Sequence, residues 1–491
     1  MIFLKNIEVI DLFAGAGGLS EGFSGFNTRK KHPFKVKISI EKEKFAYQTL
    51  LLRNFFHQFD EVPYEYYSYV KGEMTREKLF VKYPSEFEAA NEITWQAELG
   101  AKSYPHDKVM ERIRKQIKYP SRSIVLGGPP CQAYSLIGRS KMKKNDGFEN
   151  DHRHTLYEEY LKIIAEVKPA VFVMENVKGI LSSKLNGEFV FEKILKDIKN
   201  PVRLIEPNRK RFFRNETYTV YSLISTKKSD ELNRNDFIIE SELYGIPQRR
   251  HRVILLAVRN DLKIIPGQLK PSKILTSVKD AISDLPPIRS RVSKAEDNLV
   301  SWQESIKTSF PKAKLLSKND IGSEYLKFRV KPNNFKWFHD SKLDGVLNHM
   351  SRSHMKSDLQ RYHFLSKAAE EKQKNISLRD FPTFLLPNHK NVEKSINSGS
   401  LFSDRFRVQL SNTPATTITS HIAKDGHYYI HYDSKQSRSL TVREAARIQT
   451  FPDNYFFEGP RTSQYLQVGN AVPAFLANQI ASVVYDLFRD L

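Results

Sequence analysis

The chain has 491 residues, enough to bury a sizeable core and to divide into two or three domains. Apolar residues make up 40% and cysteine occurs once, which suits a folded chain and excludes an intramolecular disulfide framework or a cysteine-rich zinc site; no metal is expected. With 78 Lys and Arg against 56 Asp and Glu, the formal net charge of +22 points to a polyanionic partner, nucleic acid first. No membrane partner is expected, since no run of about 18 apolar residues predicts a spanning helix. No signal peptide is expected in MIFLKNIEVIDLF, and a reducing, cytoplasmic setting follows from the cysteine usage.

The first half reads as α/β. EVIDLF (8–13) is a short apolar run that ends at a glycine loop, AGAGG. VKISIE (36–41), SIVLGG (123–128) and AVFVMENV (170–177) are further runs, and KFAYQTLLLRNFF (44–56) and TLYEEYLKIIAEVK (155–168) between them have helical patterning. Strands alternating with helices predict βαβ units and a mostly parallel sheet, which HRVILLAVR (251–259) would join later. Residues 57–120 are long for one connection and predict inserted helices of no evident purpose.

From about 265 the pattern breaks at Pro266, Pro271, Pro286 and Pro287, and the chain to about 410 is rich in Lys, Arg, His and aromatics. A second, smaller domain inserted at 265–410 is expected, between a first part at 1–264 and a return at 411–491. Order resumes in LTVREAARIQTF (440–451), stopped by Pro452, and in PAFLANQIASVVYDLF (473–488), an amphipathic helix opened by a proline.

Candidate functional residues gather at the carboxyl ends of the predicted strands, where parallel sheets bind ligands. The glycine loop would let a ligand approach the backbone. Its pattern departs from G-x-G-x-x-G at Ser20, so a dinucleotide site is disfavoured. Glu41, ending the second strand, could accept hydrogen bonds from ribose hydroxyls; a tight turn and a surface acid are the plainer alternative. The only cysteine, Cys131, sits in GGPPCQAYS (127–135). A core filler would lie within an apolar run, whereas this thiol follows one, behind two prolines that restrict the backbone. Glu175 ends the fourth strand, and PQRRHR (247–252) leads three arginines into the last.

These groups suit one reaction. Carbon 5 of cytosine becomes nucleophilic if a thiolate adds at carbon 6, provided a carboxyl at N3 and an arginine at O2 draw electrons from the ring. The activated carbon then attacks a sulfonium methyl group. A base stacked in a duplex must first be flipped out, at a cost of a few kcal/mol.

The sequence resembles the DNA cytosine-5 methyltransferases of bacterial restriction-modification systems. The likeness rests on DLFAGAGGLS (11–20), GGPPCQAYS, MENV (174–177), GIPQRRHRV (245–253), RSLTVREAARIQTFPD (438–453) and QVGNAVP (467–473), in the family's order. It implies an α/β, Rossmann-like S-adenosylmethionine-dependent fold with an inserted target-recognition domain. It implies Cys131 as nucleophile, Glu175 at the N3 and amino edge of cytosine, and Arg252 at O2. Phe13, Ala14, Gly15, Gly17, Gly18, Glu41, Pro130, Leu156, Asn470 and Ala471 would surround S-adenosylmethionine. Gln132, Ser135 and Arg250 would meet double-stranded DNA, Arg250 at a phosphate, with 132–154 as a closing loop. For the acid that takes the adenine, Glu98 and Asp107 both remain open. From the residues alone, His349, Arg352, His354, Lys356 and Arg361 are candidate DNA contacts, with a solvated basic helix as the equal alternative. The resemblance further implies a monomer and a restriction endonuclease as genetic partner. An RNA cytosine-5 methyltransferase and a catalytically inactive DNA-binding relative are the alternatives.

Overall fold

The structure, a computed structural model, describes residues 6–28, 32–130, 156–185, 187–210, 216–328, 336–388 and 405–489. Its frame is a sheet of β1 (Ile7–Leu12), β2 (Phe34–Glu41), β3 (Thr94–Gln96), β4 (Ser123–Gly127), β5 (Val171–Val177), β6 (Tyr218–Tyr221), β7 (Ile238–Glu240) and β8 (His251–Arg259). The order is β3-β2-β1-β4-β5-β8-β6, with β7 also paired to β8. The first five run parallel, while β8 is antiparallel to β5, β6 and β7.

The unbroken apolar runs follow from burial on both faces. Along β8, Val253, Leu255 and Ala257 enter one core and Ile254, Leu256 and Val258 the other. β1 divides in the same way, with Ile10 and Leu12 on one face and Ile7 and Val9 on the opposite one. The first face is covered by α6 (His106–Gln116), α7 (Leu156–Val167) and α8 (Val190–Lys199). The second is covered by α1 (Gly18–Ser24) and, from the far end of the chain, α13 (Ala474–Arg489). These two approach closely because Gly22 has no side chain: a Cβ there would lie 2.4 Å from the Cβ of Ala477.

Between β2 and β3 the chain forms α2 (Lys44–Phe56), α3 (Tyr64–Val70), α4 (Arg76–Lys82) and α5 (Pro84–Ile93). Beyond the sheet lie α9 (Leu299–Lys307), the antiparallel hairpin of β9 (Gly322–Lys327) and β10 (Gly345–Met350), α10 (Lys356–Lys372), α11 (Val442–Ile448) and α12 (Arg461–Asn470). The expected break at 410 does not divide the packing. One apolar cluster joins Val278, Ile282, Phe338 and Val346 to Ile418, Leu440, Phe451 and Val468. The first and last parts of the chain also meet directly, since Gln248–Arg249 pairs in parallel with Ala415–Thr416. The stretch Arg461–Arg489 has the length and apolarity of a membrane span, yet 67% of its most apolar window is buried inside the protein.

Candidate active site

A cavity of about 610 Å³ opens at the carboxyl ends of β1, β2, β4 and β5. The loop after β1 forms its floor. Phe13 takes φ 55°, Gly15 φ 57° and Gly17 φ 77°, so three of five successive residues are left-handed and the chain turns sharply into α1. A Cβ on Gly15 would meet nothing within 4 Å, which leaves backbone open to a ligand. Ala14 N donates to Ile40 O (3.0 Å), tying the loop to β2.

Glu41 braces this loop. Its carboxylate accepts from Gly15 N (2.7 Å) and Glu43 N (2.8 Å). Burial raises its pKa against those two bonds. Asp11 is more isolated. It is 1% exposed and lines the cavity, and neither oxygen has a hydrogen-bond partner among the described residues. Burial pushes its carboxyl up to about 7 against the nearby Ser20 hydroxyl, which donates to Gly17 O instead, and the charge of Glu41 adds to the rise. An orphaned buried acid beside open glycine backbone fits a ligand with a cationic group.

The other end is built by β4, β5 and β8. Gly127 is required because a Cβ would lie 2.6 Å from the Tyr160 ring and 2.9 Å from Leu12 O; at Gly128 it would lie 3.0 Å from Glu175 Oε2. Asn176 Nδ2 reaches back to Pro129 O (3.5 Å), joining the GGPP turn to β5. Strand register supplies the next pairing. Arg252 sits opposite Val177, so its side chain falls diagonally beside Glu175 on the same face. Arg252 Nε lies 3.0 Å from Glu175 Oε1, with both side chains mostly buried. Arg250 is buried and donates through Nη1 to Ile418 O (2.7 Å) and Gly469 O (3.3 Å), while its Nε has no partner among the described residues. Burial, then the charge of Arg252, disfavours the Arg250 cation, which calls for an anion.

Nine expected cofactor residues line this one cavity: Phe13, Ala14, Gly15, Gly18, Glu41, Pro130, Leu156, Asn470 and Ala471. Glu175, Arg250 and Arg252 line it as well.

A model for C-5 cytosine-specific DNA methylases matches residues 83–486. The type II methyltransferase M.Bpa9945I of Bacillus paralicheniformis is 35% identical, the alignment covering 98% of this chain and 99% of that one. The chain belongs to the C-5 cytosine-specific DNA methylases. M.DdeI of Desulfomicrobium norvegicum is 27% identical over 99% of this chain and 90% of its own. A solved structure from an E. coli prophage shares the fold, with a TM-score of 0.52 at 21% identity, covering 99% of this chain and 100% of that one. The protein is thus a DNA cytosine-5 methyltransferase of the type II kind.

Other expectations for this methylase meet the structure unevenly. Cys131, Gln132, Ser135 and the rest of 132–154 lie outside the described residues. Gly17 does not line the cavity; it caps α1, packed against Leu50 and Tyr455. Of the two acids left open, Glu98 lines the cavity and pairs with Lys42 (3.0 Å). Asp107 lies elsewhere, exposed on α6 and paired with Arg209 (2.9 Å).

Four of the five candidate DNA contacts are corrected. His349 bridges Thr441 Oγ1 and Pro286 O (2.9 Å each), and His354 meets Ser439 Oγ (3.1 Å). Arg352 donates to Ile422 O (2.7 Å) and Arg361 to Leu385 O and Asp358 (2.7 and 2.8 Å). All four are buried structural links; Lys356 alone is exposed. Sequence reasoning also missed Asp11, Asn176, Thr419 and Ser420 on the cavity wall. Asp11 opens the DLFAGAGG motif, and that was the available signal.

Proposed function

We propose that this methylase flips a cytosine out of duplex DNA within a short fixed sequence and methylates carbon 5, with S-adenosylmethionine as cofactor. The observation that carries the reading is the Glu175–Arg252 pair at one end of a cavity whose other end holds Asp11, Glu41 and open glycine backbone. The residues suit the cofactor: Asp11 is an orphaned acid for its cationic part, Glu41 and Glu98 are acids at the strand ends, and the Gly15 backbone is uncovered. When bound, S-adenosylmethionine supplies an electrophilic methyl group.

The chain's own groups do the rest. Cys131, one residue past the cavity-lining Pro130, adds as thiolate to carbon 6. Glu175 holds a proton at N3 and Arg252 stabilises charge at O2, so the electron pair moves to carbon 5. After carbon 5 takes the methyl group, its proton leaves and the carbon–sulfur bond breaks, restoring the ring. Arg250, buried without a carboxylate partner among the described residues, would take a phosphate, and Gln132 and Ser135 would contact DNA. The basic 265–410 region selects the sequence. The protein acts as a cytoplasmic monomer, and its methylation protects host DNA from a cognate restriction endonuclease.

Bisulfite sequencing of DNA from cells expressing only this protein tests the reading. One protected cytosine in a fixed motif is expected, and Cys131→Ser should abolish it while duplex binding persists. Protection restricted to RNA, or turnover retained without the thiol, would overturn it.

A further inference from the structure

The helices α3–α5 between β2 and β3 do more than cover apolar surface. The aromatic run of α3, YEYYSYV, packs Tyr66, Tyr67 and Val70 with Leu51, Leu52 and Phe55 of α2, and with Leu343 and Leu347 of the hairpin region. Its polar atoms are directed at that region too. Tyr67 Oη donates to Asp340 Oδ2 (2.8 Å), and Lys71 Nζ pairs with Asp344 Oδ1 (2.5 Å). Lys342 Nζ reaches back to Val62 O (3.4 Å), just before α3, whereas Tyr69 Oη donates to Glu458 Oε1 (2.5 Å) in the segment between α11 and α12.

Asp340 is the junction. The same oxygen that accepts from Tyr67 accepts from Asn454 Nδ2 (2.7 Å), and Asn454 Oδ1 accepts from Arg53 of α2 (3.0 Å). Arg53 in turn forms a buried pair with Glu21 of α1 (2.6 Å). A continuous polar chain therefore runs from the helix that follows the glycine loop to the hairpin. The hairpin is also held from α11 and the segment that follows it: Asn348 exchanges bonds with Phe457 (2.9 and 3.3 Å), and Arg443 Nε donates to Leu347 O (2.8 Å). The hairpin is thus tied both to the insertion and to residues 443–457.

We propose that Tyr67 and Lys71 are positioning residues for DNA recognition, acting through Asp340 and Asp344 to fix the hairpin against the catalytic sheet. This rests on the reading of 265–410 as the sequence-selecting region. A surface that discriminates bases must be held to a fraction of an ångström relative to the site where the flipped base reacts. Loosening one of these ties weakens binding to the correct duplex and narrows its advantage over a wrong one, while saturated turnover persists.

The test uses the full-length protein, a duplex carrying the sequence that the wild type methylates, and the same duplex with one base pair changed. Tyr67→Phe is expected to raise KM for the correct duplex by roughly five-fold, the worth of one hydrogen bond, and to shrink the ratio of kcat/KM between the duplexes. The kcat at saturating duplex and the Kd for S-adenosylhomocysteine should stay within two-fold (~0.4 kcal/mol). Asp344→Asn, whose side chain is 54% exposed, keeps the proposal testable if the tyrosine variant fails to fold; it should move the same two readings in the same direction. Unchanged KM and discrimination overturn the proposal. So does a loss of activity that only tracks a lower folded fraction, with KM and the ratio constant. A wild type that methylates no defined sequence defeats the underlying functional reading instead.

Discussion

Gly18→Ala sets two physical effects against each other. Gly18 opens α1 with no left-handed φ, so helix propensity alone favours alanine by roughly 0.8–1 kcal/mol. Tertiary packing opposes it. An added Cβ would lie 2.2 Å from Val472 O and 3.1 Å from Val472 N, both backbone atoms. Relief to ordinary contact needs a movement of about 1 Å, and overpacking of that kind typically costs ~1–3 kcal/mol. The two sides of the contact, Gly18–Leu19 and Ala471–Val472, line the same cavity, so the movement reaches the ligand site. A net destabilisation of about 1 kcal/mol is expected by urea unfolding, and a Kd for S-adenosylhomocysteine raised about ten-fold, or ~1.4 kcal/mol, by calorimetry. Gly267→Ala, where a Cβ meets nothing within 4 Å, is the control and should change neither. A Gly18→Ala protein that is more stable than the wild type and binds equally well would refute the packing argument.

Glu41→Gln removes the charge that receives Gly15 N and Glu43 N and turns an amide donor toward one of them. A loss of ~1.5–3 kcal/mol in cofactor affinity is expected, at least ten-fold in Kd, and calorimetry showing no change would remove Glu41 from the site. Asp11, raised to about 7, is mostly protonated at pH 6 and ionised at pH 8, so a cationic ligand that needs its charge should bind more tightly as pH rises through 7. Asp11→Asn should flatten that profile, and an unaltered slope would place the titration elsewhere. His349 and His431 are each lowered by burial from 6.5 to about 4. Between those values the unfolded chain takes protons that the folded chain refuses, so stability falls with falling pH. The slope is at most about 1.4 kcal/mol per pH unit for each histidine, fully relieved above 6.5. Urea midpoints at pH 7.5 and 5.5 that coincide would contradict this.

The strands were legible because burial on both faces writes itself as unbroken apolar runs; HRVILLAVR coincides with β8 residue for residue. The ends of those strands announced the site for the same reason, since the chain turns polar or glycine-rich where the core stops. The family likeness set Glu175 and Arg252 at one cytosine, but their direct contact across the sheet was not legible. Glu175 and Arg252 meet only because β5 and β8 run antiparallel in one register, and nothing local encodes a pairing across 77 positions (252 minus 175). Glu98 and Asp107 were equal as letters. Only the parallel pairing of Glu41 with Gln96 brings Glu98 to the cavity rim.

The misreading of His349, Arg352, His354 and Arg361 has the same root. A basic, histidine-rich helix reads as a solvated or DNA-facing surface when its acceptors are unseen. Here the acceptors are hydroxyls and carbonyls at Pro286, Leu385, Ile422, Ser439 and Thr441, and an acid at Asp358. Most are far along the chain, and each compensates a polar group that would otherwise be costly to bury. The same logic makes α3 informative. Three tyrosine hydroxyls in four residues would be an expensive way to fill a core, and all three are satisfied outside the insertion, at Asn454, Asp340 and Glu458. An element whose buried tyrosine hydroxyls are answered by another region is held by that region and holds it in return. That reciprocity, as much as the apolar contact beneath it, ties the insertion to the hairpin at Asp340 and to the segment between α11 and α12 at Asn454 and Glu458.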